Sequence, residues 1–226
     1  MSEKDKQLIL LEIYARLGWQ FGPQHWWPAE EPFEVIAGAI LTQSTSWSNV
    51  EKGIANLKKA NALSPRILRQ KPVTELAKLI YSCGYHNVKA NKLKAFADWF
   101  GFQYQDSLEK MAEAGLEQLR SDLLKVWGIG EETADSILLY ACQKPVFVID
   151  AYTRRIVDCL GFKPKRNRYC DFQRIFMDNL APETQMFNEY HALLVTLGKE
   201  VCRKNKPRCQ ECCLAGMRNS TGGQCG

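Results

Sequence analysis

The stretch from Leu123 to Gly161 constrains this chain more than any other. It carries Gly128-Ile129-Gly130 between an amphipathic segment ending at Lys125 and another starting at Glu131; an apolar run to Tyr140, the segment Pro145-Val-Phe-Val-Ile-Asp150 and a further helical segment follow. Two glycines one residue apart suit a tight hairpin whose backbone makes a turn that side chains resist. Such a hairpin leaves N–H groups open at a helix N-terminus, a ready anion site. Glu131 and Glu132 already occupy the first turn of that helix, so a bound phosphate would meet the glycine backbone rather than their side chains. The implied ligand is a polymer backbone, gripped without its sequence being read.

The rest reads as helices with almost no strand signal. Leu8, Leu10, Leu11, Ile13, Tyr14 and Leu17 give an amphipathic helix ending near Gly18, and Gly22-Pro23 with Trp26-Trp27-Pro28 breaks the pattern. Helix starts are expected at Pro32, Ser48, Ser64-Pro65, Thr74, Asn87 and Leu116, then at Ala151, Tyr169 and Asn188. Ten or so short helices joined by Gly, Pro, Ser and Asn turns imply an all-α protein.

The N-terminus is polar, with no long apolar run after it, which points to the cytoplasm and away from a membrane. The net charge of +5 is unevenly spread: residues 144–208 carry 13 Lys and Arg against 7 Asp and Glu, while residues 1–143 carry 16 against 17. The excess gathers at Lys163, Lys165, Arg166, Arg168, Arg203, Lys204, Lys206 and Arg208. A charge run is usually a solvated face; beside a phosphate-binding hairpin it reads better as part of a nucleic-acid cleft.

Taken together, Gly128-Ile-Gly-Glu-Glu-Thr-Ala-Asp135, Asp150 and the upstream Ala39-Ile-Leu-Thr-Gln43-Ser-Thr-Ser-Trp47 resemble the helix-hairpin-helix plus Gly/Pro-Asp signature of the endonuclease III superfamily of DNA glycosylases. Trp26-Trp27-Pro28, with Gln43 and Trp47, is most similar to the bacterial 3-methyladenine branch. The resemblance implies an endonuclease III-like fold with two helical domains flanking a DNA cleft. These are a central bundle over 31–144 containing the hairpin, and a second domain formed by 1–30 plus 145–226. It also implies a monomeric, nucleoid-associated enzyme of base excision repair acting on double-stranded DNA that carries a damaged base.

Residue roles follow from the same likeness. Asp150 takes the catalytic carboxylate's place, although an Asp between an apolar stretch and a helix is ordinarily an N-cap. The two roles are compatible, because backbone N–H bonds favour an ionised carboxylate and a fixed carboxylate can activate water or stabilise charge on the sugar. In family members that also cut the strand, a lysine two residues after the second hairpin glycine forms a Schiff base. Here that position holds Glu132, which cannot, so hydrolysis without strand cleavage is implied; otherwise Glu132 simply favours the helix dipole.

Trp26, Trp27 and Trp47 match the aromatic pocket walls, while Trp19, Trp99 and Trp127 read as core. Aromatic stacking would favour a cationic alkylated purine, which is also a good leaving group. Gly128, Ile129, Gly130 and Thr133 would meet the DNA backbone. Gln43 would enter the gap left by an extruded base, with Tyr85 or His86 as the second wedge. Alone, Gln43 reads as a helix-end polar residue and Tyr85 as partial core.

Cys83, Cys142, Cys159 and Cys170 read as reduced, buried apolar residues. Cys202, Cys209 and Cys212 match the first three ligands of the family's 4Fe–4S loop; the fourth position holds Arg218, leaving Cys225 or Cys213 to complete the set over 202–225. Zinc, or no metal, are the alternatives. No organic cofactor is implied, and His25 and His191 resemble no metal triad. Two other functions fit the same residues: a uracil or T/G mismatch glycosylase, whose pocket would need donors to a neutral base, and a non-catalytic damage-binding module, which would not need Asp150.

Overall fold

In the computed structural model, residues 3–220 are described, and among them every regular element is helical. The chain divides into two units, Met1–Trp26 with Pro145–Gly226, and Trp27–Lys144. The boundary thus falls between the paired tryptophans rather than after residue 30.

The first unit opens with α1 (Glu3–Phe21), which ends at Gly22, whose φ is 67°. It runs past the expected stop at Gly18. Leu10, Ile13 and Leu17 are buried, whereas Trp19, expected in the core, is 88% exposed. At 3.6 residues per turn Trp19 falls on the face opposite Leu10, so the periodicity itself turns it outward.

The second unit contains α2 (Pro32–Leu41), α3 (Trp47–Lys59), α4 (Pro65–Gln70), α5 (Val73–Leu79), α6 (His86–Tyr104), α7 (Leu108–Glu113), α8 (Leu116–Lys125) and α9 (Glu131–Ser136). Pro32 and Pro65 sit in first turns, and Ser64 accepts from the Ile67 N–H at 3.4 Å. α7, which the sequence reading missed, starts at Ser107, whose hydroxyl accepts from the Lys110 N–H at 3.2 Å. α6 begins at His86 rather than Asn87, after Tyr85. After α9 the helix widens into a π-helical turn, Ile137–Ala141, which packs on α2. α2 is buried along nearly its whole length; it is apolar except for Glu34, which is buried and paired with Lys58 at 2.8 Å. Trp99 is half-buried against Phe96 and Tyr104, and Trp127 is 58% exposed, so neither is the core residue expected.

The first unit resumes with the segment 145–150, then α10 (Ala151–Cys159), α11 (Tyr169–Met177) and α12 (Thr184–Glu200). Phe147 stacks on Phe176 with ring centroids 3.9 Å apart, and Phe187 and Tyr190 meet Phe147 edge-on. The Tyr190 hydroxyl donates to the Leu10 carbonyl at 2.9 Å, tying α12 to α1. Val146, Phe147, Val148 and Ile149 are all buried outside any helix, and their backbone needs partners that no sheet among the described residues supplies. α11 provides them. Tyr169 Oη accepts from the Ile149 N–H at 3.1 Å, and Gln173 Nε2 donates to the Phe147 carbonyl at 2.8 Å. Cys83 and Cys142 are buried as expected, and burial pushes the Cys142 thiol up to about 12; Cys159 and Cys170 are only half-buried.

Candidate active site and DNA interface

The hairpin forms where expected. Gly128 has φ 85°, and a Cβ there would lie 2.5 Å from Lys92 Cγ, so both backbone and packing demand glycine. Gly130 is extended and faces open space; its role is to begin α9 with no side-chain cap. Ile129 is buried between them, which leaves the turn only backbone to present there. Arg120 of α8 holds the two arms together, donating to Asp135 of α9 at 2.6 and 3.1 Å, and Asp135 is fully buried. A paired, doubly bonded carboxylate is the form in which a buried charge is tolerated. Glu131 and Glu132 are exposed at the start of α9.

Gln43 joins this network. Its Nε2 donates to the Gly128 carbonyl at 3.0 Å and to Thr133 Oγ1 at 2.9 Å, and its Oε1 accepts from Lys92 Nζ. Thr133 is therefore buried and turned toward Gln43. Tyr85 is 74% exposed at φ 44°, and the neighbouring His86 ring lies 4.7 Å from that of Tyr81. In the same unit Trp27 meets Trp47 edge-on at 5.1 Å and Tyr140 at 5.3 Å. Gly38 makes room for this cluster: a Cβ on it would stand 3.0 Å from Trp27 Cζ2. Tyr140 escaped the sequence reading because it ends an apolar run and looks like core.

Asp150 belongs to the other unit. Its Oδ1 accepts from the Thr153 N–H at 2.7 Å, capping α10, while Oδ2 lies 3.8 Å from His191 Nε2 on α12. His191 is buried, and burial lowers its pKa, with Asp150 opposing and Lys199 adding to the shift. No sequence motif marks His191; only the packing of α12 brings it to Asp150. Lys199 Nζ sits 5.6 Å from the ring centroid of Trp26, which lines a cavity of about 660 Å³ with Tyr14, His25, Met186 and Glu189. Trp26 and Trp27 thus build different surroundings, each in its own unit.

The basic residues expected on a nucleic-acid face are exposed. Two of them form local ion pairs, Arg168 with Asp171 at 2.8 Å and Arg208 with Glu211 at 2.9 Å, and Arg203 donates to the Lys199 carbonyl at 3.2 Å.

Among the described residues the cysteine loop does not bring the expected ligands together. Among the described residues no three His, Cys, Asp or Glu side chains form a group that could hold a metal. Cys202 and Cys212 are buried, Cys209 and Cys213 half-buried, and burial pushes the Cys213 thiol up to about 11. Cys225 lies outside the described residues. The loop is held instead by Arg155, which donates to the carbonyls of Cys202 (2.8 Å) and Gly198 (3.0 Å). The described thiols alone do not fit a four-thiolate cluster.

Residues 37–182 match the family described as "HhH-GPD superfamily base excision DNA repair protein", and the chain belongs to that family. It is a DNA glycosylase, an enzyme acting on N-glycosyl bonds, and its substrate is DNA. It is 41% identical over 212 residues to a protein of Methanocaldococcus jannaschii named "Putative DNA repair glycosylase", covering 93% of this chain and 96% of that one. It is also similar to the crystal structure of the H. pylori 3-methyladenine DNA glycosylase bound to 1,N6-ethenoadenine. That match has 27% identity and a TM-score of 0.72 and covers 86% of this chain and 97% of the other. A trapped endonuclease III–DNA covalent intermediate shares the fold at 20% identity, with a TM-score of 0.78 and coverage of 94% and 93%. No described helix is long and apolar enough to cross a membrane.

Proposed function

We propose that the protein is a monofunctional glycosylase that hydrolyses alkylated purines such as 3-methyladenine from DNA. The observation that carries this reading is Glu132, two residues beyond the second hairpin glycine, where the strand-cutting members of the family place a lysine. A carboxylate cannot form the imine that precedes strand cleavage. The cluster of Trp27, Trp47 and Tyr140 supports the choice of base, since aromatic faces attract a cationic purine and need few hydrogen bonds to hold it.

In this mechanism the two oxygens of Asp150 divide the work. Oδ1 stays on the α10 backbone and fixes the carboxylate, and Oδ2 receives a proton from water as the water oxygen attacks C1′. The C1′–N bond breaks with its electron pair going to the base, which leaves neutral if it was cationic. Gly128 and Gly130 would present backbone N–H groups to phosphate, with Gln43 and either Tyr85 or His86 entering the vacated stack. A 4Fe–4S cluster at Cys202, Cys209 and Cys212, completed by Cys225 or Cys213, enters this reading through the likeness of the cysteine loop to that of the family, and no step is assigned to it. Iron analysis and the visible absorbance of purified protein decide its presence.

The test is incubation with methylated DNA and chromatography of the released bases, beside duplexes carrying uracil or a T/G mismatch. Release of 3-methyladenine with no adduct trapped by borohydride is the expected result. Release of uracil or thymine alone would move the protein to the mismatch branch, and a borohydride adduct would end the monofunctional reading.

A further inference from the structure

Two turns of the hairpin-bearing unit meet at one buried amine. Lys89, in the first turn of α6 and only 2% exposed, donates from Nζ to the Leu41 carbonyl at 2.9 Å and to the Cys83 carbonyl at 2.7 Å. Leu41 is the last residue of α2, and Cys83 ends a short 3-10 helix, Tyr81–Cys83. Both carbonyls therefore stand where a helical segment runs out of its own donors, and the cation meets the negative ends of two helices.

Each gripped carbonyl lies two residues before a side chain assigned above to the duplex: Leu41 before Gln43, and Cys83 before Tyr85. Each turn also holds a non-glycine residue in the left-handed region, Ser44 at φ 54° and Tyr85 at φ 44°. Such conformations persist only where surrounding contacts over-determine them. The Tyr85 turn has a second anchor in Ser82, whose hydroxyl donates to the Asn49 carbonyl at 2.9 Å. The Gln43 turn has its own in the bonds to Gly128 and Thr133. Lys89 is the group common to both.

A buried ammonium is a costly way to fill space. Burial lowers the pKa of Lys89, partly opposed by the Cys83 thiol and reinforced by Lys92. An unbranched apolar side chain would occupy the same volume without that cost, so the charge has to be explained by what it binds.

We propose that Lys89 is a positioning residue that clamps the Gln43 and Tyr85 turns into a single wedge, so that both side chains enter the base stack in one concerted step. This rests on the wedge reading given above. A clamped pair loses its freedom once, at folding, whereas two independent turns would each lose it on the DNA. The clamp therefore acts on base extrusion, while the grip of the hairpin on phosphate does not depend on it.

The test is a double-mutant cycle on kcat/KM, using a duplex with a paired methylated purine and a second substrate with the same lesion in an unpaired bulge. Gln43→Ala and Tyr85→Ala should each lower kcat/KM on the paired lesion by about tenfold, and together by about tenfold to thirtyfold rather than a hundredfold, because members of one unit do not add. In a Lys89→Met background the two effects should multiply. Lys89→Met alone should reduce kcat at saturating DNA on the paired lesion by about tenfold, with KM and the bulge substrate little changed; a loss of folded protein would lower both substrates alike.

If the single substitutions at Gln43 and Tyr85 leave excision intact, the wedge reading falls and the clamp with it. If both matter but multiply in the wild-type background, the wedge reading stands and the clamp alone is overturned. That wild-type cycle decides the question even if Lys89→Met fails to fold.

Discussion

α9 and α10 both begin with an extended residue and open backbone donors, yet the chain treats the two starts in opposite ways. At α10 the donor is satisfied from within, by Asp150 Oδ1 on the Thr153 N–H. At α9 the residue before the helix is Gly130, which has no side chain to offer. One start spends its anion-binding capacity on holding a carboxylate still, and the other keeps that capacity for a ligand from outside. On the proposed function, the same local device would serve as a fixed catalytic support in one unit and as a phosphate grip in the other. What separates them is a single residue type at the N-cap.

The sharpest way to break this comparison is Asp150→Asn. Asparagine caps about as well as aspartate but cannot take a proton from water, so base release should fall about 10²- to 10⁴-fold with the melting temperature almost unchanged. Asp150→Ala should show the same loss of release and in addition lose about 1 kcal/mol of stability in a denaturant titration. Equal activity of wild type and Asp150→Asn would leave the cap as the residue's whole role.

At the open start, Gly128→Ala should destabilise the protein by about 1–3 kcal/mol, because it adds strain at φ 85° and drives a Cβ into Lys92. Its DNA affinity should fall further than the unfolded fraction explains. Gly130→Ala meets open space in an extended conformation, and its stability should change by less than about 0.5 kcal/mol. Equal costs at both glycines would show that the turn is set by composition rather than by the geometry of Gly128.

Support for the closed start comes from α11. Tyr169→Phe removes the acceptor for the buried Ile149 N–H and should cost about 1–3 kcal/mol by chemical denaturation. Base release should also slow, since this backbone leads directly into Asp150.

The smallest effect is on pH. Burial depresses the pKa of His191 in the folded state below the ordinary imidazole value of 6.5, so the unfolded chain binds the proton more readily. Stability from this group is complete above that value and is lost as pH falls from it toward the lower folded value. His191→Asn should flatten the slope of stability against pH in that window, measured by denaturant titration at a series of pH values.

Much of this organisation could be read locally. Pro32, Ser64 with Pro65, and the pair Gly128 and Gly130 announce helix starts and a turn, because capping and backbone freedom are decided within a few residues. Asp150 as a cap was legible for the same reason. Residue type alone points Trp19 and Trp127 inward, yet each is exposed, and for Trp19 the face of the helix decides.

The sequence by itself determined where many of the helices begin, where the hairpin must turn, and that a carboxylate stands at one helix start and glycine at the other. Only the tertiary structure decided that Tyr140 and Gly38 complete the surroundings of Trp27, that Tyr169 and Gln173 satisfy the segment before Asp150, and that His191 faces its carboxylate. The physical reason is range. Caps and turns are settled by neighbours a few residues away, whereas a buried polar group takes whichever distant partner the packing delivers, and periodicity carries no record of that partner.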